Sequence, residues 1–247
     1  MKNFNILYFL CIFLEFIVKI ETYYFTTNCS KYCLCDLTAS ILTITCTEYN
    51  PSFIIPNLTN INIVTALIID DNYLHDFPAN ICQFEINLHV LDISLNYINT
   101  NISDKTFDCL TQLEFLNVSR NQIENIDENA FDNLNKLLVL DLGYNKISFI
   151  PDWYEKLKNL KYLFLNNNYL NNVDISFFFL NSIIKIDLTH NNIYKFTNGI
   201  GTGLNKNMVK SKENAKLIDL RYNSITSFDD RVLDLFYINE LNDFKIF

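Results

Sequence analysis

Seven times along the chain the pattern L-x-x-L-x-L-x-x-N-x-L recurs, with Ile, Val or, once, Ala in the leucine slots. The copies begin at Val64, Leu88, Leu113, Leu137, Leu160, Ile183 and Ala215. Their asparagines are Asn72, Asn96, Asn121, Asn145, Asn168, Asn191 and Asn223, spaced by 24, 25, 24, 23, 23 and 32 residues. The chain holds 36 asparagines, so one match would mean little. Seven matches in register with four aliphatic positions each leave only stacked units, none able to bury its apolar side alone.

Within each copy, x-L-x-L-x alternates with period two, so the leucines face one way and the residues between them the other. The asparagine follows where the chain must turn out of the strand. Its carboxamide can donate to and accept from backbone groups of adjoining coils that would otherwise be buried unpaired. The return segments differ. After the third copy, Ile123, Ile126, Ala130, Phe131 and Leu134 are spaced for a short helix or tight turns. After the fourth, Ile150, Pro151 and Trp153 favour an extended or 3₁₀ return. Stacked units of this kind make a solenoid with one parallel sheet along its concave side.

Ahead of the repeats, Lys2 precedes an apolar run from Phe4 to Val18 broken only by Asn5 and Glu15. Such a run spans roughly 22 Å as a helix, short of the roughly 30 Å hydrocarbon core. It therefore reads as a secretory signal over residues 1–22, with an uncleaved anchor or a buried helix as competitors. No small-residue pair marks the cleavage site, which is expected between Ile20 and Thr27. Cys29, Cys33, Cys35 and Cys46 follow as C-x3-C-x-C-x10-C. A zinc site would favour C-x2-C pairs or a nearby histidine, and neither is present. In an oxidising compartment the cluster is a disulfide knot, and three pairings remain open. Cys82 and Cys109 sit one repeat apart, as a further bridge or as two buried thiols.

The repeats and the cysteine cluster together resemble an extracellular leucine-rich repeat protein. That resemblance implies an α/β fold, a right-handed β–α superhelix with a concave parallel sheet. It implies a cysteine-rich N-terminal cap over residues 28–61, pairing Cys29 with Cys35 and Cys33 with Cys46, ahead of seven repeats over residues 62–227. Such a cap covers the open end of the apolar core, with Ile41, Leu42 and Ile44 supplying its strand. The usual cysteines of a C-terminal cap are missing after Cys109. Residues 228–247 are read as a short cysteine-free cover, with Val232, Leu233, Leu235 and Phe236 inward, or as the truncated end of a longer chain. The implied function is secreted or cell-surface recognition of a protein ligand through the concave face. The alternatives are a structural or adhesion component of the extracellular matrix, or the N-terminal part of a single-pass receptor. Membrane attachment is expected only if the chain continues beyond Phe247.

The outward column between the core leucines reads Ile68, Asp92, Asn117, Asp141, Phe164, Asp187 and Asp219. Two residues earlier it reads Ala66, Val90, Phe115, Val139, Tyr162, Lys185 and Leu217. An acidic stripe thus lies beside an apolar and aromatic one. Phe115, Tyr162 and Phe164, with Tyr144 flanking and Asp141 and Asp187 among them, are the candidate binding residues. Acidic neighbours favour a basic protein partner. L-D-L is nonetheless common in this repeat whatever the ligand, so part of the stripe is generic. Sequons at Asn28, Asn57, Asn101 and Asn117 are candidate glycosylation sites, and chance alone predicts about as many in so asparagine-rich a chain. A glycan on Asn117 would obstruct the concave face.

The longest gap, before Asn223, holds Gly199, Gly201 and Gly203, three of the chain's 4 glycines. With a polar sequel including Lys206, Lys210 and Lys212, this is a surface loop, or a partner-contacting one, and not a nucleotide cradle. Nineteen basic against 28 acidic residues leave no broad basic surface, so nucleic acid is not an expected partner. His75, His89 and His190 are scattered without a nucleophile or metal-ligand spacing. No enzyme, cofactor, metal or small-molecule substrate is expected.

Overall fold

The computed structural model describes residues 24–30, 33–38, 40–46, 63–174, 182–197 and 217–226. The apolar run at residues 1–22, Asn57, the Gly199–Gly203 loop and residues 228–247 lie outside these, as do the side chains of Asn28, Cys29, Cys33 and Cys46. The strands in chain order are β1 (Tyr24–Ser30), β2 (Cys33–Thr38), β3 (Ile41–Cys46), β4 (Ala66–Ile68), β5 (Val90–Asp92), β6 (Phe115–Asn117), β7 (Val139–Asp141), β8 (Tyr162–Phe164), β9 (Asn172–Asp174), β10 (Lys185–Asp187), β11 (Lys195–Thr197) and β12 (Leu217–Asp219). Each repeat contributes one three-residue strand, centred on the first leucine of L-x-L. The strands β3, β4, β5, β6, β7, β8, β10 and β12 pair in parallel in that order. At the other end β1, β2 and β3 form an antiparallel meander that feeds directly into the parallel sheet. Its register sets the backbones of Cys33 and Cys46 opposite each other, and Cys35 is disulfide-bonded.

The core is stacked columns. Leu67, Leu91, Leu116, Leu140 and Leu163 are fully buried, as are Ile69, Ile93, Val118, Leu142 and Leu165 two residues on. Truncating one such leucine to alanine should cost about 2–5 kcal/mol. Along the return side an aromatic spine links successive coils: Phe77 meets Phe107 at 5.3 Å edge-on, Phe107 meets Phe131 at 6.5 Å, and Phe131 meets Trp153 at 5.0 Å edge-on. The Trp153 indole N–H finds no acceptor among the described residues.

The repeat asparagines stitch neighbouring coils together. Asn145 donates to the carbonyls of Val118 (3.1 Å), Leu142 (3.1 Å) and Gly143 (3.3 Å) and accepts from the Ile123 N–H (3.1 Å). Asn96, Asn121, Asn168, Asn191 and Asn223 repeat this arrangement. Asn72 donates to Ile44 of β3 at 3.0 Å, which ties the meander to the first repeat. To turn the asparagine inward, the residue before it takes a left-handed backbone. This holds at Asp71, Leu95, Arg120, Tyr144, Asn167, His190 and Tyr222, with φ from 52° to 61°. For a residue that is neither glycine nor asparagine this costs of order 1 kcal/mol.

The β–α expectation needs correcting. Among the described residues the returns are 3₁₀ segments, at Ile81–Phe84 and Asp152–Lys156, and turns, with no α-helix. The Asn125–Leu137 return closes i→i+3 bonds at Ala130, Asp132 and Leu134. Geometry explains the preference. Strands stack about 4.8 Å apart, whereas an α-helix is about 10 Å wide, so narrow returns stack on such coils without forcing strong curvature. Among the described residues no helix is long and apolar enough to cross a membrane.

Candidate concave binding face

The pairing register aligns the two outward columns strand by strand. Val90, Phe115, Val139, Tyr162 and Lys185 are successive partners, and so are Asp92, Asn117, Asp141, Phe164 and Asp187. Phe115, Asp141, Tyr162, Phe164 and Asp187 therefore lie on the adjacent strands β6, β7, β8 and β10. All five are half-buried. Tyr144 is apart from them. It occupies a left-handed position beyond the end of β7 and is exposed, with the Arg120 guanidinium 3.9 Å above its ring.

The acidic stripe has a local structural cause. Each Asp or Asn of that column accepts the backbone N–H two residues on, closing an Asx turn at the strand's end. Ser94 N–H donates to Asp92 Oδ1 (2.9 Å), Ser119 N–H to Asn117 Oδ1 (3.0 Å) and Gly143 N–H to Asp141 Oδ1 (2.9 Å). Thr189 donates to Asp187 and Arg221 to Asp219 likewise. One side-chain oxygen per residue is thus committed to the turn; the second oxygen of Asp92 accepts from Asn117, and those of Asp187 and Asp219 meet Lys185 and Arg221.

Charge along the stripe is uneven. Lys185 Nζ lies 3.4 Å from Asp187 Oδ2 and 5.0 Å from the centre of the Phe164 ring, so it covers both candidates. Arg221 binds both oxygens of Asp219. Among the described residues no lysine or arginine lies within ion-pair distance of Asp92 or Asp141. Burial raises the Asp92 carboxyl above the ordinary carboxylate value, against hydrogen bonds from Ser94 and Asn117. Burial pushes the Asp141 carboxyl up to about 6, with the charges of Asp92 and Asp187 adding to it and the Gly143 N–H and Arg120 opposing.

The sequons separate. Asn117 is 6% exposed, and its Nδ2 donates to Asp92 Oδ2 at 3.0 Å, so its carboxamide is engaged within the sheet. Asn101 is exposed, accepting one bond from Asn125. Cys82 and Cys109 are bonded to each other, with Cα atoms 5.6 Å apart, across the return side of neighbouring repeats. The sequence reading missed Arg120 and the covering role of Lys185. Both depend on side chains reaching across strands, which a column of letters does not show.

A family model described as leucine rich repeat matches residues 62–123 and 116–170. Residues 62–170 carry leucine-rich repeats. Over 124 residues these repeats are 37% identical to the human leucine-rich repeats and immunoglobulin-like domains protein 3, covering 49% of this chain and 11% of that protein. Over 184 residues they are 30% identical to the adenylate cyclase of Schizosaccharomyces pombe, covering 66% of this chain and 10% of the cyclase. Among solved structures, a TLR13–ssRNA13 complex superposes with a TM-score of 0.59 at 26% identity, covering 72% of this chain and 24% of that one. The chain thus spans about a tenth of the length of either of these two sequence relatives. Leucine-rich repeats recur in relatives with quite different names, so the repeat is a scaffold, and function has to be argued from the surface it presents.

Proposed function

We propose that this chain is a secreted or cell-surface module that recognises a basic protein ligand through its concave face. The observation that carries the reading is the centre of that face. Phe115 and Tyr162 are partly exposed beside Asp92 and Asp141, which have no lysine or arginine at ion-pair distance among the described residues. Half-buried aromatics supply contact area at low entropic cost. Unneutralised carboxylates steer a cationic partner and penalise acidic ones. Phe164 and Asp187 contribute less, because Lys185 already occupies them. An extracellular setting is supported by the Cys82–Cys109 bridge, by the second disulfide at Cys35 and by the short apolar run behind Lys2. Resemblance to a protein named for its immunoglobulin-like domains points the same way.

The test has two arms. Expression with the native N-terminus should yield secreted protein lacking its first twenty-odd residues, and cytosolic retention of the intact chain would sink the extracellular claim. A panel of purified ectodomains is then screened at low and high salt. A basic ectodomain should bind, weaken with salt and lose at least about tenfold in affinity, or about 1.4 kcal/mol, when Phe115 and Tyr162 become alanine. Binding that ignores both changes would place the site elsewhere.

A further inference from the structure

We propose that the flank reached by the chain as it leaves each strand is a second recognition surface, and that it takes an acidic, loop-like segment of a partner protein. The proposal is independent of the concave reading and shares with its candidates only Tyr144, which lies apart from the others. It begins from the left-handed positions before the repeat asparagines. Five of the seven hold Leu95, Arg120, Tyr144, His190 and Tyr222, none of them glycine, asparagine or aspartate, although this chain has 36 asparagines and places one of them at only a single such position, Asn167. All five are exposed, so packing does not demand them. The asparagine turn imposes this backbone at all seven positions, and the exposed side chains carried there are open to contact.

The same flank is ordered in advance. Arg120 lies over the Tyr144 ring, His190 stacks on Tyr222 at 4.2 Å, and one residue beyond the asparagines Tyr73 stacks on Tyr97 at 6.0 Å. Their ring planes are taken by one another, while Tyr73, Tyr97, Tyr144 and Tyr222 all remain exposed. Such rings lose little freedom on binding, and their hydroxyls can donate to backbone carbonyls of a docked loop.

Charge chooses the partner. At the middle of the flank stand Arg120 and, one strand on, Lys146, whose Nζ donates to Gln122 at 3.2 Å. Among the described residues neither has a carboxylate at ion-pair distance. A guanidinium 3.9 Å over a tyrosine ring can still present its N–H fork to a carboxylate. Two cations suit one or two carboxylates on a loop and are too few for a polyanion, whose affinity grows with each phosphate neutralised. The flank therefore selects an acidic segment where the adjoining concave face selects a basic one.

Short peptides carrying aspartate or glutamate beside leucine or phenylalanine, each with a copy bearing lysine for every carboxylate, are arrayed and probed with the intact chain. The acidic peptides should be retained at least about tenfold better than their lysine copies. R120Q with K146Q should reduce them to the level of the copies, R120K should restore part of the binding, and D141N, which removes a negative charge that Arg120 feels, should not lower it. Tyr144→Asn should lower retention while raising Tm, an effect that a merely structural role for the ring would reverse. Equal retention of acidic and lysine peptides, binding that survives R120Q with K146Q, or loss on D141N would overturn the proposal. Loss confined to D141N would do so while leaving the concave reading standing.

Discussion

Asp141 makes the stability of the fold pH-dependent, and D141N tests by how much. Its carboxyl rises from 3.8 to about 6, mainly through burial. A carboxyl that binds its proton more tightly in the folded chain stabilises the fold when protonated. That contribution is complete below about 3.8 and is lost as pH rises through about 6. Two pH units correspond to about 3 kcal/mol, and because Asp141 is only half-buried, screening should reduce this to about 1–2 kcal/mol. Asparagine keeps the acceptor for the Gly143 N–H and removes the charge. The preceding repeat already does this, since Asn117 accepts from Ser119 in the same column. D141N should therefore exceed the wild type by about 1–2 kcal/mol at pH 7.5 and match it near pH 4. Urea unfolding followed by Trp153 fluorescence reads this directly, because Trp153 is the chain's one tryptophan and is fully buried. A D141N chain that is weaker at pH 7.5, or a difference that is the same at both pH values, would refute the reasoning.

Three further outcomes follow from the same contacts. Asn145→Ala strips a donor from three carbonyls and an acceptor from the Ile123 N–H, and should cost about 3 kcal/mol in denaturant unfolding. Replacing Cys82 and Cys109 by serine opens a loop of sequence separation 27 and should lower stability by about 3–4 kcal/mol, read as a fall in the urea midpoint. In a secreting host, Asn101→Gln should remove one glycan on a gel, while Asn117→Gln should leave the pattern unchanged, because Asn117 is buried and hydrogen-bonded.

Much of this architecture was legible from the letters because the repeat is a strict code. The leucine slots and the seven asparagines fix which residues face inward, so the strand register follows, and with it the neighbours of Phe115, Asp141 and Tyr162. The return segments were harder. Ile150, Pro151 and Trp153 favour an extended or a 3₁₀ return because proline restricts the backbone, and the chain takes the second, but Ile123 through Leu134 carries a spacing that both a helix and tight turns satisfy. Strand pitch, a property of the stack and not of any one repeat, accounts for the preference for turns. The stripe of aspartates was legible as a column and not as a set of turn acceptors, since both roles want the same side chain. The left-handed positions left little trace, because Leu95, Arg120, Tyr144 and Tyr222 are not residues that ordinarily announce a positive φ.

The most direct test of concave recognition places a photo-crosslinking amino acid at Tyr162 and, separately, at Phe149, which is exposed and lies outside the strand columns. With a basic ectodomain bound, the crosslink should form from position 162 and not from 149. A crosslink from 149 with none from 162 would contradict the account.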